Sequence, residues 1–303
     1  MYQLLALLTG VLLSVMISIN GSLSGFYDMY TAAVIIHAVG VLFALVMALI
    51  RKEKPLPRSR SPWWFYLGGV IGVATTLFNV FAFGRISMTS IVALGLLGQT
   101  VTSVLVDSTG WMGMVRRPFK KSSLIGLVFC LAGIVIMLDN SVLEAALAVW
   151  FSLLTGVVIV ISRSINARLA ERIGAMPGSF VNHLAGLPVT IIIAFFASPA
   201  FRGFSFSGGY PFWAYLGGIL GVFGVVLFNI LVPKISQFSL TVLTFAGQVA
   251  SGIVLDLASG QFKADRSFIG GLVITGGIGL NMLVDYLVPR RAGTASSSNR
   301  VSE

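Results

Sequence analysis

One stretch of this chain occurs twice. Residues 85–107, RISMTSIVALGLLGQTVTSVLVD, return at 234–256 as KISQFSLTVLTFAGQVASGIVLD. A shift of 149 residues superposes Arg85 on Lys234, Ser87 on Ser236, Gly98 and Gln99 on Gly247 and Gln248, and Asp107 on Asp256. Apolar sequence matches itself cheaply, but an aligned basic residue, glutamine and aspartate do not arise from composition. A chain that repeats a module must fold as two related units.

The repeat runs well beyond that stretch. At a shift of 146, Ser18-Ile19-Asn20 matches Ser164-Ile165-Asn166, and His37 and Gly40 match His183 and Gly186. Tyr66-Leu67-Gly68-Gly69 matches Tyr215-Leu216-Gly217-Gly218, and Leu77-Phe78-Asn79 matches Leu227-Phe228-Asn229. The two histidines of the chain therefore occupy one position in two copies.

The environment of these copies is lipid. Only 10% of the 303 residues are charged and 56% are hydrophobic, whereas soluble domains carry about 25% charged residues. The net charge of +10 is accordingly no nucleic-acid footprint. Crossing a bilayer core of about 30 Å takes about 20 apolar residues. Ten stretches qualify: 3–24, 31–50, 63–84, 86–107, 123–139, 144–164, 178–198, 212–232, 236–256 and 267–289. The sequence thus predicts an all-α integral membrane protein with ten transmembrane helices. The first five-helix copy spans 1–140, the second 141–290, and a disordered, Ser-rich cytoplasmic tail 291–303. No basic residue precedes the apolar run at Leu4, which fits a retained helix rather than a cleaved signal peptide.

Five helices per copy invert the second copy relative to the first. Charge placement tests this, because Lys and Arg collect in cytoplasmic loops. With both termini cytoplasmic, sixteen basic residues face inward, against Arg85, Arg202, Lys263 and Arg266 outside. Opposite charge bias on equivalent loops is what an inverted pair requires.

Ten helices in two inverted, glycine-rich copies resemble the drug/metabolite transporter superfamily. The Asn20, His37, Gly98-Gln99 and Asp107 pattern, with its second copy, resembles the YdcZ-like branch of bacterial inner-membrane proteins, in a fused two-copy form. The resemblance implies transport of a small metabolite across the inner membrane, with export as the expected direction and no substrate specified.

Several polar residues lie at membrane depth, where an unpaired group is costly. Gln99 and Gln248 fall mid-helix. Gln99, Thr102 and Ser103 share a helical face, as do Thr244, Gln248 and Ser251. These six are candidate substrate contacts; alternatively, each glutamine bonds a neighbouring helix. Counted along their own helices, Asn20 and His37 converge near the outer face and Asn166 and His183 near the inner one. Asn79 and Asn229 fall toward the same two layers. Such layers suit two gates, or simple packing. Asp107 and Asp256 end their helices, where the helix dipole disfavours a carboxylate. They read as solvated interfacial acids or as acids coupling a proton or cation. Arg163, whose counterpart is Ile17, either snorkels to the interface or contacts an anionic substrate.

The single Cys130 suggests no disulfide and no cysteine metal site, and no cofactor motif occurs. The leading reading is a secondary transporter rather than an enzyme. A membrane enzyme on a lipid-linked substrate and a non-transporting partner subunit are the alternatives. Both are less favoured, since an enzyme would cluster its polar groups at one interface.

Overall fold

The computed structural model describes residues 1–56, 61–82, 85–117, 123–203, 210–258 and 264–287. The 291–303 tail lies outside them. Ten long helices run through the described residues: α1 Tyr2–Phe26, α2 Met29–Ile50, α3 Gly68–Ala82, α4 Met88–Thr109, α5 Ser123–Met137, α6 Ala146–Ile173, α7 Ala175–Ala197, α8 Leu216–Leu231, α9 Gln237–Ala258 and α10 Arg266–Leu287. Eight segments are long and apolar enough to cross a membrane. The exceptions, α3 and α5, have 15 residues each.

Boundaries depart from the sequence expectation in two ways. A 3-10 turn opens α3 (Trp63–Leu67) and another opens α8 (Phe212–Tyr215), each following a proline. Helix α6 continues to Ile173, well past the expected 164, and buries its polar residues Arg163, Ser164 and Asn166. Gly174, at φ +100°, then turns the chain directly into α7, a backbone conformation that only glycine adopts freely.

Packing joins one copy to the other. Helix α1 lies against α9, α4 against α6, α2 against α7, α3 against α6, and α5 against α10. Within the first copy, close helix packing is confined to α1 with α2 and α4 with α5. The crossings are backbone to backbone. A Cβ on Gly10 would collide with the Thr244 carbonyl, and one on Gly247 with the Leu7 carbonyl. The equivalent pair repeats this: Gly98 faces the Leu153 carbonyl, and Gly156 faces that of Gly95. Apolar tails offer helices no hydrophobic reason to associate, so close van der Waals approach must supply it.

Two clusters mark the ends of the bundle. At one end Arg117 donates to the Pro233 carbonyl, Asn229 to that of Ala175, and Arg172 stacks on Phe65. This basic end gathers the α2–α3, α4–α5, α6–α7 and α8–α9 connections. At the opposite end the Tyr27 and Tyr215 hydroxyls bond at 2.6 Å, and Phe26 stacks on Tyr210. Asp28 caps α2 there, accepting from the Tyr30 and Thr31 amides and from the Thr31 and Ser198 hydroxyls. Burial pushes the Asp28 carboxyl up, but these four hydrogen bonds together hold it below its usual range. Burial and the bond to Tyr215 push the Tyr27 phenol up to about 12.

Two predictions follow from this packing. Gly98→Ala and Gly247→Ala should each lower stability by about 1–3 kcal/mol, whereas Gly276→Ala and Gly279→Ala, which meet open space, should melt like the parent. Thermal melts in detergent decide it, and equal losses at all four sites would refute the crossing. Asp28 has a depressed folded pKa, so its contribution is complete above the ordinary carboxylate pKa of about 3.9 and fades as pH falls through the folded value. The gap in melting temperature between parent and Asp28→Asn should therefore narrow on acidification below about pH 4; a gap independent of pH would count against it.

Candidate functional site

A group of polar side chains surrounds a cavity between α2, α3, α6, α7 and α8. The cavity, of about 280 Å³, is lined by His37, Thr75, Thr76, Ser162, Arg163, Asn166, Asn182 and Asn229, with Val73, Ile159, Val225 and Phe228 among its apolar walls. His37, Asn166, Asn229 and Arg163 were singled out in the sequence, but as members of different layers. The structure brings them around one space.

The histidines correct the layer expectation most directly. His37 and His183 do not occupy opposite ends: their ring centroids are 5.8 Å apart. Each lies eight residues along its own helix, α2 or α7, and the two helices cross there. Each ring packs on the glycine of the other copy, His37 against Gly186 and His183 against Gly40. Each Nδ1 is 2.9 Å from the carbonyl four residues earlier, Ala33 or Ser179. A carbonyl only accepts, so Nδ1 carries the proton and Nε2 of the neutral ring is left as an acceptor.

The asparagines follow the same reciprocity. Asn20 packs on Gly217 and Asn166 on Gly68. Their partners differ, however. Asn166 Nδ2 donates to Asn182 Oδ1 at 2.8 Å, whereas Asn20 Oδ1 is buried without a partner. Asn229 is buried, while its counterpart Asn79 is exposed and accepts only a 3.4 Å bond from Thr155.

Toward the basic end, Arg163 is held in a knot of hydrogen bonds. The side chain is 4% exposed, so it does not snorkel. Its Nε donates to Gln237 Oε1 at 2.7 Å, and Nη2 donates to Thr241 Oγ1 at 2.7 Å, Ser103 Oγ at 3.0 Å and the Gln237 carbonyl at 3.2 Å. Ser103 and Thr241 also bond each other at 2.9 Å, and Gln237 Nε2 donates to Ser164 at 2.9 Å. The knot thus ties α6 to α4 and α9. Beneath it, Asp107 is no solvated interfacial acid. It is 7% exposed and accepts from the Gln237 and Phe238 amides, both at 2.8 Å. It caps α9, at whose positive N-terminal end a carboxylate is stabilised. The matching Asp256 side chain lies outside the described residues.

At the equivalent place in the other copy there is a vestibule instead. A cavity of about 400 Å³ is lined by Ser14, Ile17, Val92, Gln248, Gly252 and Asp265, among others. Ile17, Val92 and Gly252 are the sequence counterparts of Arg163, Thr241 and Ser103. Helix packing shows the same difference: α8 packs on α1, α2, α6 and α7, whereas α3 packs closely on α6 and α7 but not on α1 or α2.

The expected α4 and α9 polar stripe does not form one site. Ser103 belongs to the knot, Thr244 bonds its own helix at Leu240 and Thr241, and Thr102 is buried. Gln99, Gln248 and Ser251 are half-buried. Asn182, Thr75, Thr76 and Ser162 were missed by sequence reasoning. Asn182 has Ile36 as its counterpart, so a search for repeated polar residues passes over it. Among the described residues no group of three His, Cys, Asp or Glu could hold a metal.

Long apolar helices, interleaved between two copies around a small polar cavity, define a multi-pass membrane protein of the transporter class. A family profile described as an inner membrane exporter, YdcZ, matches residues 1–136 and again 147–280. The chain belongs to that family, in a fused two-copy form, and is a multi-pass inner membrane protein. No curated protein matches it. Among 26 solved chains that match, one, named only "Crystal structure of protein", superposes with a TM-score of 0.68 at 16% identity, covering 95% of this chain and 98% of that one. At that identity the likeness shows the fold.

Removal of the Asp107 cap provides a test of the knot. Asp107→Ala should cost about 1–2 kcal/mol of stability and Asp107→Asn distinctly less, since an amide oxygen still accepts. Thermal melts of the two variants compare them; indistinguishable losses would mean that capping is not what Asp107 contributes.

Proposed function

We propose that the chain is a secondary transporter that moves a small polar metabolite across the inner membrane by alternating access. In this reading all ten helices span the bilayer as two inverted five-helix copies, 1–140 and 141–290, with the basic end cytoplasmic. The charge bias supports the orientation, because Arg51, Lys52, Lys54, Arg116, Arg117, Arg168, Arg172 and Lys234 gather at that end. Inverted-repeat transporters place substrate between their repeats, which is where the 280 Å³ cavity lies. Arg163, His37, Asn166 and Asn229 are the contacts offered there, and Gln248 is offered in the vestibule.

The observation that carries this reading is the inequality of equivalent sites. Arg163, Ser103 and Thr241 are locked together at the basic end, while Ile17, Gly252 and Val92 line open space at the other. A bundle that is closed on the cytoplasmic side and open on the far side is one of the two states alternating access requires. The other state exchanges the roles of the two copies. Two states separated by a few kcal/mol are biased by single contacts, and the knot is such a contact.

Cysteine accessibility tests this. In a Cys130→Ser background, Ile17→Cys or Val92→Cys should label rapidly with a membrane-impermeant thiol reagent applied to right-side-out cells. Adding Gln237→Ala, which loosens the knot, should favour the cytoplasm-open state and slow that labelling severalfold. Labelling from the cytoplasmic side only would reverse the orientation, and rates indifferent to Gln237→Ala would remove the gate. Orientation is checked independently by a reporter enzyme active only in the cytoplasm: it should work when fused after Arg117 and fail after Asn140.

A further inference from the structure

Arg163 is the one Lys, Arg, Asp or Glu side chain among those lining the central cavity. Every hydrogen bond of Arg163 goes to a neutral acceptor, Gln237, Ser103 or Thr241. Among the described residues the ion pairs are Arg51 with Glu53 and Arg168 with Glu171, and Arg163 is in neither. Asp107 spends both carboxylate oxygens on the Gln237 and Phe238 amides. Only Nε and Nη2 of the guanidinium are engaged, which leaves Nη1 and its two N–H donors on a side chain that lines the cavity. No acidic residue lines that cavity. Taking a charge out of water is costly unless an opposite charge is near. Asp107 lies close enough to act on Arg163 electrostatically, but it makes no hydrogen bond to the guanidinium, and the free N–H donors are left for an anion in the cavity.

The remaining walls add a second requirement. Asn229 Oδ1 is buried with no hydrogen-bond partner. His37 donates through Nδ1 to Ala33, so its Nε2, which lies against Gly186, is left as a second acceptor on a residue that lines the cavity. A bare anion would leave both acceptors unmet, whereas a ligand carrying a donor would satisfy them. One guanidinium suits one negative charge rather than two. The volume, about 280 Å³, suits a small solute.

We infer that this cavity binds a small monocarboxylate carrying a hydroxyl or ammonium group close to the carboxylate, with Arg163 taking the anion and Asn229 and His37 accepting from the neighbouring donor. The inference rests on the cavity being the solute site of the proposed transporter.

The test uses the full chain in lipid nanodiscs and four probes: lactate, alanine, lactamide and propionate. Lactate or alanine should raise the melting temperature saturably, with half-effect at a concentration at least about tenfold lower than lactamide, which lacks the charge, or propionate, which lacks the donor. Which of the two acts distinguishes hydroxyl from ammonium. Arg163→Gln should abolish the effect; if that variant does not fold, the four-probe comparison on the unaltered protein still decides. Equal stabilisation by lactamide or propionate overturns the inference, as does no stabilisation by either acid. Binding of lactate or alanine without flux in proteoliposomes would refute the transporter and leave the ligand class. Flux of a neutral or cationic solute, with neither acid binding, would do the reverse.

Discussion

Everything in this molecule depends on helices of different copies touching backbone to backbone. In lipid no hydrophobic force pulls apolar helices together, so contact area has to come from close approach. Gly10 with Gly247, and Gly98 with Gly156, let α1 meet α9 and α4 meet α6 without intervening side chains. These contacts run from one copy to the other, so they fix the copies as one body and set where polar groups end up. His37 reaches the cavity because its ring rests on Gly186, and Asn166 because it rests on Gly68.

Reciprocity at the glycines makes the departures from it informative. Three equivalent positions carry Arg163 in one copy and Ile17 in the other, Thr241 and Val92, and Ser103 and Gly252. The polar set closes on itself and the apolar set does not. A duplicated scaffold with unequal linings supplies two ends of different strength, and hence a preferred resting state. A strictly symmetric pair would have no such preference, since exchanging the copies would leave its energy unchanged.

The sequence made the architecture legible because repetition and apolar length are both one-dimensional. The duplication, the family and the approximate ends of the helices could be read directly. Helix α6 was the exception: apolarity reports lipid exposure, and the stretch from Arg163 to Ile173 is helical but largely turned inward. The site was legible residue by residue but not as a group. Depth counted along each helix ignores tilt and crossing, which is why the histidines were expected in separate layers. Asp107 was judged against the end of its own helix, while the partner that matters is the start of α9. Asn182 escaped because it is not repeated.

The sparse packing inside the first copy has a consequence for biogenesis. Helices α1 to α5 emerge first, yet apart from α1 with α2 and α4 with α5 their close helix partners are α6 to α10. Until those arrive, Asn20, His37 and Asp107 have neither the glycines nor the helix N-terminus that receive them in the finished bundle. The first half must therefore wait in the bilayer as a loose set of inserted helices, with costly polar groups exposed to lipid or to one another. Fusing the copies in one chain shortens that wait, since the missing half is delivered at high local concentration rather than found by diffusion in the membrane.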